Sequence, residues 1–284
     1  MATQFSGAQA GPSYPFSIGL EESFDFPGSL EMFSSNWYVP FVFALLLYLP
    51  ALYIGQMIMQ KREPFNLRLP MMLWNSGLAI FSIIGFLRVF PEMVHSLNRF
   101  GFHHSICNNS YIHVKPARYW IYLFVLSKIP ELGDTIFLVL RKQKLIFLHV
   151  YHHASVLIFS WFVYANLMAS ARWFCTMNFG VHSIMYTYYV LKAVPNIIKI
   201  PKWVSMVITA SQTIQMIVGA YVVFRSFFAK LSGYDCATTT AMSVFGLVIY
   251  ISYLYLFSQF FYNAYCSPQS KTPRKAIVAE KKRA

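Results

Sequence analysis

The chain has 284 residues, of which 57% are hydrophobic, 18% aromatic and only 12% charged. Its 23 Lys and Arg outnumber 10 Asp and Glu, for a net charge of +13. A soluble domain averages about 45–50% apolar and about 25% charged residues, so a soluble nucleic-acid-binding module is excluded in spite of the basicity, and the aromatic content excludes disorder. What remains is a polytopic membrane protein.

Residues 1–36 hold Glu21, Glu22, Asp25 and Glu31 but neither Lys nor Arg. A secretory signal needs a basic start, so this segment reads as a tail and not a cleaved signal. Seven apolar stretches follow: Trp37–Met59, Leu69–Phe90, Tyr119–Leu140, Leu145–Asn166, Trp173–Leu191, Trp203–Phe224 and Ala241–Tyr262. Each suits a helix across a bilayer core about 30 Å thick. None alternates as a barrel strand does, which predicts an all-α fold with seven transmembrane helices. Trp37, Tyr38, Tyr119, Trp120, Trp173 and Trp203 sit at span ends, where amphipathic rings favour the interface. The membrane domain covers residues 37–265, and residues 266–284 form a polar, basic tail.

Lys61, Arg62, Arg68, Arg141, Lys142, Lys144, Lys192, Lys199, Lys202 and the tail cations fall on one side of this topology. The other side holds fewer: Arg88, Arg99, Lys115, Arg118, Arg172, Arg225 and Lys230. The positive-inside rule therefore places the C-terminus in the cytosol and the N-terminus in the lumen. Two features agree. Asn108-Asn109-Ser110 is a glycosylation sequon in a lumenal connection, with Asn108 the acceptor. The chain ends Lys281-Lys282-Arg283-Ala284, like the dilysine signal of endoplasmic-reticulum proteins. Cys107 and Cys236 both fall on the oxidising lumenal side and are expected to pair.

Ionisable groups at membrane depth are costly and mark function. The third span carries Lys128, Glu131 and Asp134, which a continuous helix would spread over an arc of about 120°, one cation facing two carboxylates. The fourth carries His149, His152 and His153 within about 100°, with Tyr151 pointing away. In the fifth, Asn178, His182, Met185 and Tyr189 form one stripe, flanked by Tyr186 and Tyr188. The sixth adds Thr209, Gln212 and Gln215.

Three chemistries compete for these groups. An HxxHH box suits a metal-dependent lipid desaturase or hydroxylase, but only His149, His152, His153 and His182 lie in spans, and a full metal shell needs more. The remaining His95, His103, His104 and His113 lie in a lumenal connection. A seven-helix receptor or carrier fits the topology but leaves the imidazoles without a purpose. Acyl transfer uses them directly, a neutral imidazole acting as nucleophile or base beside amides that hold an oxyanion.

Four segments together resemble a known family. KxxELGDT at Lys128–Thr135, HVYHH at His149–His153, NFGVHSIMYTYY at Asn178–Tyr189 and TxxQxxQ at Thr209–Gln215 are similar, in order and spacing, to the signatures of the very-long-chain fatty acid elongases. The resemblance covers residues 37–265 and implies an endoplasmic-reticulum 3-ketoacyl-CoA synthase that condenses acyl-CoA with malonyl-CoA, releasing CoA and carbon dioxide. It implies six later helices in a barrel around a tunnel open to the cytosol, with Tyr186 and Tyr189 among its lining. His152 would be acylated, His182 would bind or polarise the second substrate, and Asn178 and Gln215 would serve the oxyanion. His149, His153, Lys128, Glu131 and Asp134 would orient the imidazoles. Arg141, Lys142, Lys144, Lys199 and Lys202 would meet the CoA phosphates. No metal or further cofactor is implied. Cys175, the one thiol within the spans that could replace His152, lies off the Asn178–Tyr189 stripe and ranks below it. Expected partners are the two CoA substrates, membrane lipids, the ketoreductase, dehydratase and enoyl reductase of the same cycle, and a second copy of the chain; no nucleic acid is expected. Lys144 stands five residues before His149, where many polyunsaturated-chain enzymes carry Gln, which leans toward saturated or monounsaturated chains of about sixteen to eighteen carbons.

Overall fold

A computed structural model of the chain describes residues 11–194 and 200–267. Lys199 and the tail cations, including the terminal dilysine, lie outside the described residues. Every regular element described is helical. Two short helices, α1 (Gly19–Glu22) and α2 (Phe26–Ser35), precede α3 (Val39–Phe41), which runs through a π-helical stretch, Val42–Tyr48, into α4 (Leu49–Gln60). Then follow α5 (Arg68–Cys107), α6 (Lys115–Glu131), α7 (Gly133–Leu140), α8 (Phe147–Ala165), α9 (Ala171–Ala193), α10 (Lys202–Leu231) and α11 (Thr240–Phe261).

Four helices among the described residues are long and apolar enough to cross a membrane: Val39–Gln60, Arg68–Cys107, Lys202–Leu231 and Thr240–Cys266. The second is longer than the apolar pattern predicts, because it continues past Pro91 and turns only at Gly101, whose φ of +81° suits glycine. The third expected span is two helices. Pro130 has no N–H for the carbonyl of Leu126 and crowds it, so α6 ends at Glu131 and α7 restarts at Gly133. Helices α8 and α9 are continuous, but His149, His152 and His153 in the first and Asn178 and His182 in the second break their apolar runs.

The first 36 residues are not a loose tail where they are described. Glu21 is buried and takes Nε of Arg88 at 2.8 Å and Nε1 of Trp120 at 2.8 Å; Nη2 of Arg88 bonds its other oxygen. Arg88 also donates to the Phe16 carbonyl at 3.0 Å and lies over the rings of Tyr14 and Phe16. An arginine on a long apolar helix needs an anion, and the N-terminal acidic segment supplies it. At the same end Arg172 lies 3.3 Å from Glu92 and donates to the Asn108 carbonyl and Ser110 Oγ, and Cys107 is bonded to Cys236.

Candidate active site

Helices α5 and α7 to α11 line a cavity of about 840 Å³. His149, His152 and His153 of α8, Asn178, His182, Tyr186 and Tyr189 of α9, and Gln212 and Gln215 of α10 all line it. The three signature segments thus converge on one space, as the 3.6-residue stripes on each helix require.

The histidines of α9 and α8 are held in different ways. On the α9 side a chain of hydrogen bonds starts at Glu131, which takes Ser127 Oγ at 2.9 Å and Lys128 Nζ at 2.7 Å. Lys128 then donates to Asn178 Oδ1 at 3.1 Å, and Asn178 Nδ2 stands 3.1 Å from His182 Nε2. An ammonium can only donate, so the amide oxygen faces Lys128 and the amide NH₂ faces His182. Nε2 of His182 is therefore the unprotonated nitrogen, and its proton sits on Nδ1.

On the α8 side, His149 Nε2 lies 2.9 Å from Thr135 Oγ1, which in turn meets Tyr48 OH at 2.7 Å. The His149 and His153 rings are 4.4 Å apart. His153 is buried, and its Nδ1 has no hydrogen-bond partner among the described residues. His152 stands 5.0 Å from the Tyr253 ring, which is fixed by a 2.7 Å bond between its hydroxyl and Ser155 Oγ. Its ring nitrogens bond no described protein group, and it borders both the wide cavity and a narrow channel beyond it.

Asp134 departs from the expected row. The helix break at Leu132 turns it from Lys128, and it accepts Trp74 Nε1 at 2.6 Å and Tyr186 OH at 2.8 Å. Gly133 makes this possible, since a Cβ there would come within 3.1 Å of the Trp74 ring. The carboxylate thus braces Tyr186 against the cavity wall. The pair facing Lys128 is Glu131 alone, supported by Ser127, which the sequence pattern did not mark.

Among the expected phosphate ligands, Arg141 stands at the cavity mouth. Lys142 turns back to the Gln60 and Arg62 carbonyls, and Lys144 and Lys202 are exposed away from the lining. Two cations that line the mouth, Arg68 and Lys192, were not singled out by sequence. They had been counted only as charge on the basic side, a signal that names a side and not a site. Cys175 is buried beside the narrow channel. No three His, Cys, Asp or Glu side chains converge as a metal site among the described residues.

Residues 32–273 fit the model of the GNS1/SUR4 family, ELO. The chain belongs to the ELO family. It is 43% identical over 271 residues to very long chain fatty acid elongase 6 of Drosophila melanogaster, covering 94% of this chain and 85% of the relative. It is 41% identical over 255 residues to very long chain fatty acid elongase 6 of Homo sapiens, covering 90% and 95%. With very long chain fatty acid elongase 3 of Mus musculus it shares 40% identity over 271 residues, 93% and 98% of the two chains. The ELO match spans both α8 and α9, so the cavity lies wholly inside the family domain.

Proposed function

We propose that this chain is a fatty acid elongase that condenses a long-chain acyl-CoA with malonyl-CoA to a 3-oxoacyl-CoA two carbons longer. The observation that carries the mechanism is the His152 ring, free of protein hydrogen bonds where the wide cavity meets the narrow channel. A nucleophile must keep its lone pair for substrate, and His149 and His182 have each committed one ring nitrogen.

The unprotonated nitrogen of His152 attacks the thioester carbonyl and the C–S bond breaks. The proton on the resulting acyl-imidazolium ring leaves to the CoA thiolate, and CoA departs. Malonyl-CoA then enters the wide cavity, its carboxyl carbon leaves as carbon dioxide, and the enolate carbon attacks the acyl carbonyl. The C–N bond breaks, the leaving imidazolate takes a proton from water entering through the cavity mouth, and the 3-oxoacyl-CoA is released with the imidazole restored. His182, with its proton on Nδ1, and Gln215 polarise the malonyl thioester oxygen, while Lys128 and Asn178 hold the tautomer. Arg68, Arg141 and Lys192 receive the CoA phosphates at the mouth.

The wider setting belongs to the same proposal. The seven-span topology, with α5 to α11 around a tunnel, accounts for the two paired helices, α6 and α7, and for α8 and α9, whose interior polar groups lower their hydropathy. The mouth then faces the cytosol, where CoA esters reside, and the N-terminal helices, Asn108 and the Cys107–Cys236 disulfide face the lumen of the endoplasmic reticulum. Glycan at Asn108 and association with the later enzymes of the cycle are part of this reading. Replacing His152 with Ala tests it: malonyl-CoA-dependent extension should fall by about a thousandfold or more while expression is kept. Undiminished turnover would remove His152 from the chemistry.

A further inference from the structure

The histidine box is reached from a helix that does not line the cavity. Tyr48 ends the π-helical stretch Val42–Tyr48 and is 4% exposed. Its hydroxyl lies 2.7 Å from Thr135 Oγ1, and that same atom lies 2.9 Å from His149 Nε2. Thr135 is fully buried in the first turn of α7, just past the helix break, and so joins the first membrane helix to α8. The π-helical stretch aims Tyr48 at it. Ala44, Tyr48 and Leu52 are buried at intervals of four and share one apolar cluster with Leu132, Val139 and Leu157. In a regular α-helix each step of four drifts about 40° round the axis; the wider i→i+5 turn takes that drift back. Gly55 lets the same helix close on α7, since a Cβ there would stand 3.1 Å from Val139 Cγ1. Neither Tyr48 nor Thr135 lines the cavity, whereas His149 does.

The order of donors in this relay follows from what each group has left. Thr135 is the one partner of the Tyr48 hydroxyl among the described residues, so the buried phenol keeps its proton satisfied only by donating to Thr135. Thr135 has a single hydroxyl proton, which then goes to His149 Nε2. That nitrogen is an acceptor, and the proton of the neutral ring sits on Nδ1. The reverse order would strand the phenol proton in the core. The His149 ring stands 4.4 Å from that of His153, and His153 stands 5.5 Å from His152, so its placement carries to His152 through packing. We infer that Tyr48 is a positioning residue of the active site: acting through Thr135, it holds His149 in the Nδ1-protonated form with its ring fixed, so that the one free nitrogen of this cavity-lining ring is a donor. This rests on the reading of the cavity as the site of condensation. The first membrane helix thereby takes part in the chemistry without touching substrate.

The test uses purified full-length protein, a saturated long-chain acyl-CoA and labelled malonyl-CoA, with nitrogen-labelled histidine for NMR. Tyr48→Phe removes one oxygen and keeps the ring; it should lower kcat about tenfold and leave KM for both substrates unchanged. Thr135→Val should lose as much or more, up to about a hundredfold, and Thr135→Ser, which keeps the hydroxyl, should restore most of the turnover. Because Tyr48 acts through Thr135, adding Tyr48→Phe to Thr135→Val should cost nothing further. The His149 signal, identified by its loss in His149→Gln, should show a neutral ring protonated on Nδ1 in the wild type and a mixture of both tautomers in Tyr48→Phe. Wild-type kcat in Tyr48→Phe, losses that multiply in the double variant, or a wild-type His149 protonated on Nε2 overturns the relay and leaves the condensation standing. If Tyr48→Phe does not fold, the wild-type tautomer and the comparison of Thr135→Val with Thr135→Ser decide, equal turnover in those two counting against the relay. Wild-type protein that extends no acyl-CoA would overturn the reaction itself, and the role given to Tyr48 with it.

Discussion

At the end of the bundle where the N-terminal helices dock, three cations have a carboxylate: Arg88 with Glu21, Lys115 with Glu22 and Arg172 with Glu92. At the cavity mouth, Arg68, Arg141 and Lys192 have no carboxylate partner among the described residues; they rest on the Ala193 carbonyl, the Met71 sulfur and the Tyr188 ring. The Lys115 pair is exposed, but the Arg88 and Arg172 pairs are buried, and buried paired charge closes a structure because breaking it strands an ion in low dielectric. Unpaired charge at a rim is available to an incoming anion. In the proposed reading one end stays shut and the other receives the CoA phosphates.

Variants at each end should therefore fail in different ways. Glu21→Ala leaves the Arg88 guanidinium buried without its anion and should cost about 3–5 kcal/mol of stability, read as a lower unfolding temperature in detergent. Its KM for acyl-CoA should be unchanged in the folded fraction; a normal unfolding temperature would mean that Glu21 carries no such weight. Asn178→Ala cuts the link between Lys128 and His182. It should lower kcat by about ten- to a hundredfold with little change in KM, the usual cost of losing a group that orients a histidine. A pure KM effect would place Asn178 in substrate binding instead. Arg68→Gln, Arg141→Gln and Lys192→Gln should each raise KM by up to about tenfold, more at low salt than at high, while leaving stability intact. Salt-independent KM values would remove these residues from the phosphate site.

Much of this was legible in the residues. The apolar runs located the helices, and the histidine box, the Asn178–Tyr189 stripe and the Thr209–Gln215 segment do share one cavity, because helical spacing alone decides which side chains share a face. The arc drawn for Lys128, Glu131 and Asp134 did not survive, since it assumed an unbroken helix across Pro130. The proline was the available warning. The docking of residues 14–35 was hidden because burial of Glu21 depends on Arg88, 67 positions away. One hint existed: four acids with no cation in the first 36 residues. The π-helical stretch that ends at Tyr48, and the reach of Tyr48 to Thr135 and His149, have no periodic signature at all.

The imidazole of His152 bonds no described protein group, and the proposed acyl transfer to it can be tested directly. The purified protein, given labelled acyl-CoA without malonyl-CoA and then quenched and digested, should release CoA and carry one acyl group on the peptide containing His149 to His153, localised to His152 by mass spectrometry. Adding malonyl-CoA before the quench should discharge it. An acyl group on Cys175, or CoA release that waits for malonyl-CoA with no acylated peptide formed, would contradict the assignment.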